Sequence, residues 1–262
     1  MMEIMISEWM KTKRTTIRWL TFLPPFLLFA SFLWYFSRRV ITLETQISMF
    51  QAFFQVWTAL VIPLGAGLLS GLLVHQEELA GRFVGFLINK YPRRDLYLGK
   101  LTLIVLLASV STLLATLILV MGFDLISDIP ISYSPFFAAA IMAIIGSLPL
   151  LAFHLWVSFA WGMGASIGIG GGGMLLSALM ATNLGNSIWP YVPWGWPIRL
   201  AGLTGAYLLY VPGMKSPPEM ISSGFIRDQM IKGLVPAVLV LIAMVVGGVI
   251  WFQRWEGRKA YE

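Results

Sequence analysis

LTLIVLLASVSTLLATLILVM, residues 101–121, decides the fold class. It holds no charged side chain. A helix rising about 1.5 Å per residue needs roughly 20 such residues to cross the ~30 Å hydrocarbon core of a bilayer. The stretch is therefore a membrane span and too long for an ordinary buried core helix. Outward from it the same signal recurs at 19–36, 50–74 and 234–252. Between Asp128 and Arg199 no charged residue occurs at all, and that interval holds two spans, at 135–156 and 164–182. The reading is an all-α, polytopic membrane protein of six transmembrane helices, forming one domain over 1–262.

The composition agrees. Of the 262 residues 58% are hydrophobic and 11% charged, and the mean hydropathy is +0.81. A soluble domain carries roughly a quarter of its residues as charges, so an ordinary soluble enzyme and a disordered chain are excluded. The net charge of +6 does not indicate nucleic acid, because the cations sit between apolar runs. They orient the spans instead. With the N-terminus in the cytoplasm, the inner segments collect twelve Lys and Arg, among them Lys11, Lys13, Arg14, Arg18, Arg82 and Arg254, against six outside. That is the direction of the positive-inside rule, and it puts both termini in the cytoplasm. A cleavable leader is not expected, since a charged stretch precedes the first span and no small-x-small site follows it. No cysteine is present, which removes disulfides, zinc thiolates and thiol nucleophiles.

Four regions are more than spans. Residues 1–18 mix Ile4, Met5, Trp9 and Met10 with Glu3, Glu8 and cations, which suits a helix lying at the membrane interface. The loop 75–100, HQEELAGRFVGFLINKYPRRDLYLGK, places Leu79, Phe83, Phe86 and Leu87 at helical spacing before Pro92 ends the pattern. It predicts a short amphipathic helix on the cytoplasmic face. The run GMGASIGIGGGG, 162–173, is no phosphate loop, because no Lys-Ser/Thr follows and spans flank it. It predicts close helix packing or a turn within the bilayer. The external segment 183–232 contains IWPYVPWGWP and an apolar patch at 200–211, predicting short re-entrant helices dipping into the outer leaflet.

Catalytic or metal-binding side chains are not expected. His75 and His154 are the only histidines, and His154 beside Trp156 and Ser158 reads as a packed core residue. No HExxH, no paired intramembrane carboxylates and no Ser-Lys or Ser-His pair is visible.

The order of these features, with Glu8-Trp9-Met10-Lys11 on the first helix, the 75–100 loop, Lys100 opening the third span and a long external segment before the sixth, resembles the ABC-2 type permeases of ABC transporters. Trp189-Pro190-Tyr191-Val192-Pro193-Trp194 and Trp251-Phe252-Gln253-Arg254-Trp255-Glu256 make it most similar to the permease subunits of lantibiotic immunity (lantibiotic protection) transporters. The resemblance implies that Glu78, Gly81, Leu87, Pro92, Arg93 or Arg94, and Lys100 follow the family's coupling-helix pattern, which docks into a separate ATPase. Beside it, the residues themselves offer an apolar ridge of Phe83, Phe86 and Leu87, with Glu77, Glu78, Arg82 and Arg94 for pairing at its rim.

The function expected is the permease subunit of an ATP-driven exporter that expels a bilayer-active, amphipathic peptide from a bacterial cytoplasmic membrane. Its partners would be two copies of a cytoplasmic ATPase, which binds the ATP-Mg, and a second permease chain, a non-identical sister. Trp189, Tyr191, Trp194 and Trp196 would form the surface over which cargo leaves. The alternatives are export of another drug or lipid, and a non-transporting scaffold that sequesters the peptide.

Overall fold

A computed structural model describes residues 2–257 apart from 82, 85–87, 89, 128, 211–213 and 215. The described residues are helical, turn or irregular, with no strand among them. The helices are α1 (Met2–Lys11), α2 (Thr16–Phe36), α3 (Leu43–Leu79), α4 (Arg93–Asp124), α5 (Tyr133–Ala181), α6 (Gly195–Thr204), α7 (Glu219–Ser222) and α8 (Phe225–Gln253). Short 3-10 turns stand at Asn183–Gly185, Trp189–Tyr191 and Gly205–Leu209. Five helices, α2, α3, α4, α5 and α8, are long and apolar enough to cross a membrane.

The 49-residue α5 is not one rod. Gly162 has φ 90° and ψ 178°, which breaks the helix, and glycine alone takes such a conformation without a Cβ clash. The break reverses the chain. Along 133–161 the first arm runs with α3: Phe136 meets Phe50 and Phe54, and Phe159 meets Phe83 just past the end of α3. The second arm, 163–181, runs against α3. A Cβ on Gly67 would meet Ser166 O at 2.5 Å, one on Gly170 would meet Pro63 O at 2.8 Å, and Ser177 Oγ donates to Thr58 O at 3.3 Å. Across the fold His154 Nδ1 lies 3.1 Å from Ser166 Oγ, and that hydroxyl donates to Gly67 O at 3.0 Å. With the serine hydroxyl donating onward, the proton between the two belongs to Nδ1. The only intramembrane histidine is thus a buried structural link, as the sequence reading expected. Of the glycine run 162–173, one residue makes the turn and another the close helix contact.

A π-turn at Trp57–Val61 interrupts α3 just before Pro63. The Ile62 N–H bonds back to Trp57 O, so the Thr58 carbonyl would need the N–H of residue 63, which proline lacks. Ser177 supplies the missing donor, the way a membrane helix tolerates proline. Trp57 itself is buried, its Nε1 donating to Thr112 Oγ1 at 3.1 Å.

The core has two principal aromatic centres. One joins Phe36, Phe50, Phe53, Phe54, Trp57, Phe123 and Phe136 at the end where α3 begins. The other joins Phe83, Tyr97, Phe159, Phe252 and Trp255 at the end where α3 finishes. The second is the loop end below, since α1, the 75–100 loop and the last turn of α8 meet there. A smaller cluster of Met180, Trp189, Trp196, Leu200 and Ala237 seats α6 against α5 and α8.

Candidate functional site

The chemistry of the molecule concentrates at the loop end. α1 presents Ile4 and Glu8 on one buried face, i and i+4, with Lys11 one turn on. Ile4 sits over Gly99 of α4, where a Cβ would come within 2.5 Å of its Cγ2. This contact brings Glu8 over the start of α4. Lys100 Nζ then lies 2.6 Å from Glu8 Oε2 and 2.7 Å from Glu77 Oε1. Lys11 Nζ lies 2.6 Å from Glu8 Oε1 and 2.6 Å from Glu77 Oε1. Two carboxylates and two ammonium groups thus alternate around a closed ring.

Three of the four are deeply buried. The side chains of Lys100, Glu8 and Glu77 are 1%, 3% and 9% exposed, whereas that of Lys11 is 40% exposed. Charges withdrawn from water at this cost persist only when paired and hydrogen-bonded, and the ring achieves both with no net charge. Burial opposes the charge on Lys11, but Glu8 beside it and the hydrogen bonds to Glu77 and Glu8 outweigh that and raise its pKa above the ordinary lysine value. The ring ties α1, the end of α3 and the start of α4, the three segments bordering the loop.

Further ties hold the loop. Tyr91 OH donates to Glu3 of α1, and this bond, with the charge of Lys90, keeps the Glu3 carboxyl below its usual range. Pro92 is the residue before the first turn of α4, where its missing N–H costs nothing. Arg93 Nη1 donates to Trp255 O at 2.7 Å and Gln253 O at 3.2 Å. A guanidinium is thereby placed on the carbonyl end of α8, where a cation is favourable. Glu78 pairs with His75 at 3.0 Å, and Arg94 with Asp95 at the surface.

The expected apolar ridge is built differently. Helix α3 stops at Leu79, Gly81 has φ 121°, and Phe83 has φ 67°. Two positive-φ residues two positions apart end the helical periodicity on which the stripe was read. Phe83 turns inward, only 3% exposed, against Phe159 and Trp255. It is not on a docking ridge. The exposed apolar residues here, among the described residues, are Leu79, Val84 and Ile88. Phe86, Leu87 and Arg82 lie outside the described residues. Glu77 is likewise no rim residue, being a member of the buried ring.

The aromatic run of the other end is also redistributed. Trp189 is buried over Gly233 and beside Leu200. Trp196 is buried and donates from Nε1 to Pro190 O at 2.9 Å, closing its own turn. Trp194 is half-buried against Phe153 and Gly173. Only Tyr191 stands fully exposed, at 83%. Three of the four rings expected on an exit surface are therefore packing residues, because glycines far away in the chain leave notches that receive Trp189 and Trp194.

Sequence reasoning missed the joint role of Glu8, Lys11, Glu77 and Lys100. The available signal was the i, i+3 Glu8–Lys11 pair on a helix with an apolar face, plus the acidic pair Glu77-Glu78 and the base Lys100 at the two boundaries of the loop.

No curated protein and no solved structure matches the chain. A family model described as ABC-2 family transporter protein matches residues 4–170, a segment that contains the whole charged ring, the loop and the Gly162 reversal. With well over half its length matched, the chain belongs to the ABC-2 family of transporter proteins.

Proposed function

We propose that the chain is the permease subunit of an ATP-driven exporter in a bacterial cytoplasmic membrane, and that its cargo is an amphipathic, bilayer-active peptide. The five long helices give six crossings once α5 is divided at Gly162, and both termini lie in the cytoplasm with the loop end. Nucleotide is bound by a cytoplasmic ATPase, two copies per transporter, and a non-identical sister permease completes the pathway. Family membership supports the ATPase partner, and the scarcity of charge in the spans supports a cargo entering from lipid.

The observation that carries this reading is the charged ring. A push on the 75–100 loop from below reaches α1, α3 and α4 through one buried ionic cluster and reaches α8 through Arg93. Such a joint moves these helices together, as a loop passing ATPase motion to the spans requires. The exposed apolar Leu79, Val84 and Ile88 offer the contact surface.

Replacing Val84 and Ile88 with Asp tests this. Carboxylates pressed into an apolar groove are costly unless paired, so the ATPase should no longer co-purify with the permease, while the amount of permease in the membrane stays unchanged. Full ATPase recovery together with full protection of cells against the peptide would refute the docking assignment.

A further inference from the structure

At the end where α3 begins, a cavity of about 700 Å³ opens between α3, α6, the 183–194 segment and the start of α8. Its walls are mostly apolar, yet four carboxamides converge on it from three separate places: Gln51 and Gln55 from α3, Asn186 from the turn after α5, and Gln229 from α8. None of the four side chains has a hydrogen-bond partner within the chain among the described residues. Gln51 and Gln55 are exposed, one helical turn apart, roughly 12 and 18 Å along the axis from Leu43. The apolar span read from the sequence opens at residue 50, so the two carboxamides stand at the outer boundary of the bilayer with their donors and acceptors open to a ligand.

The single charged residue lining the cavity, Arg199, is committed elsewhere. Its Nε donates to Met180 O at 2.5 Å and its Nη2 to Thr182 O at 2.7 Å, closing the end of α5. The cavity therefore offers apolar wall, neutral amides and one guanidinium, whose Nε and Nη2 are taken up by neutral carbonyls of the chain. Neutral carboxamides, each donor and acceptor at once, complement the peptide bond. They are a poor match to a phosphate or carboxylate headgroup, which calls for cations. Convergence from three elements on a concave site of this size is the form of a ligand pocket. A contact with a second helix would need only one stripe.

We infer that this cavity holds the cargo during export, and that Gln51 and Gln55, with Asn186 and Gln229, recognise the backbone amides of an amphipathic peptide. The inference rests on the peptide-export reading above and gives it a site.

The natural absence of cysteine provides the assay. Ala206, which lines the cavity, is replaced by Cys in the full chain, and its labelling by a membrane-impermeant maleimide is followed in lipid nanodiscs. The probes are a synthetic Leu/Lys amphipathic peptide and the same peptide N-methylated along its backbone. The unmethylated peptide should protect the thiol. The Q51M/Q55M pair keeps side-chain size but removes the hydrogen bonds, and should raise the half-protecting concentration by about tenfold, the loss of one or two net hydrogen bonds. The N-methylated peptide should protect weakly in both backgrounds. Equal protection with and without the two glutamines would overturn the site while leaving peptide export standing. A wild-type chain protected by neither peptide would overturn the peptide reading and the site with it. Loss of the sister permease from the purified Q51M/Q55M complex, with peptide protection unchanged, would assign the glutamines to the subunit contact and overturn the inference.

Discussion

Replacing Lys100 with Met in the buried ring should be the most damaging single polar substitution in the protein. Lys100 is 1% exposed and bonds both Glu8 and Glu77. Without it two carboxylates share only Lys11, leaving one buried negative charge uncompensated. Removing one partner of a buried ionic cluster costs about 3–5 kcal/mol, equivalent to a fall in thermal midpoint of roughly 6–20 °C at about 2–4 °C per kcal/mol. Lys11→Met removes two contacts of similar length, but at 40% exposure water can approach the site, and the loss should be about 1 kcal/mol. Length alone would rank the two lysines equal, whereas burial separates them. The double variant Lys100→Met, Glu8→Gln leaves the neutral pair Glu77–Lys11 and should regain much of the loss. Thermal unfolding of the detergent-purified chain, followed by circular dichroism for five proteins (wild type, Lys100→Met, Lys11→Met, Glu8→Gln and the double variant), measures this. Equal costs for the two lysine variants, or a double variant as unstable as the sum of its singles, would refute the closed-ring account.

Two further outcomes follow from the same contacts. Ser177→Ala should destabilise by about 1 kcal/mol in the same unfolding measurement, because the Thr58 carbonyl then loses the donor that replaces the absent N–H of Pro63; a neutral result would mean that the carbonyl is served otherwise. Lys11 has a folded-state pKa above the ordinary lysine value of 10.5, so its stabilising contribution is complete below that value and is lost as pH climbs through the raised pKa. Unfolding midpoints should be level in this respect from neutral pH up to the ordinary lysine value and then fall, with the alkaline fall smaller in Lys11→Met.

The long helices were legible because their signal is local. Residues 101–121 are uniformly apolar, and no tertiary contact is needed to see that they cross a bilayer. The reversal at Gly162 was legible as a region, since twelve residues rich in glycine stand between two apolar stretches. Which glycine turns the chain depends on distant partners, since Gly71 and Gly67 of α3 receive Met163 and Ser166 just past the turn. The loop misled because helical spacing was read straight through Gly81, a residue whose positive φ ends α3. Aromatic richness at 189–196 pointed to an interface, but the notches that receive Trp189 and Trp194, at Gly233 and Gly173, lie elsewhere in the chain. The charged ring was least visible of all. Its four members come from three helices, and each alone looks like an ordinary charge near a membrane boundary.

Burial within the chain is uneven: 17% of the apolar stretch of α2 and of α8 is buried, against 50–56% for α3, α4 and α5. In evolutionary terms the molecule is a conservative trunk with two permissive flanks. A lipid-facing position can exchange Leu, Ile, Val and Phe freely, because the bilayer imposes polarity and length but no shape. A position in the trunk answers to a neighbour at close range, as Gly67 does to Ser166. Homologous chains should therefore drift fastest along the outward faces of α2 and α8 while still folding alike, and adaptation to a membrane of different thickness or fluidity can proceed there without disturbing the ring.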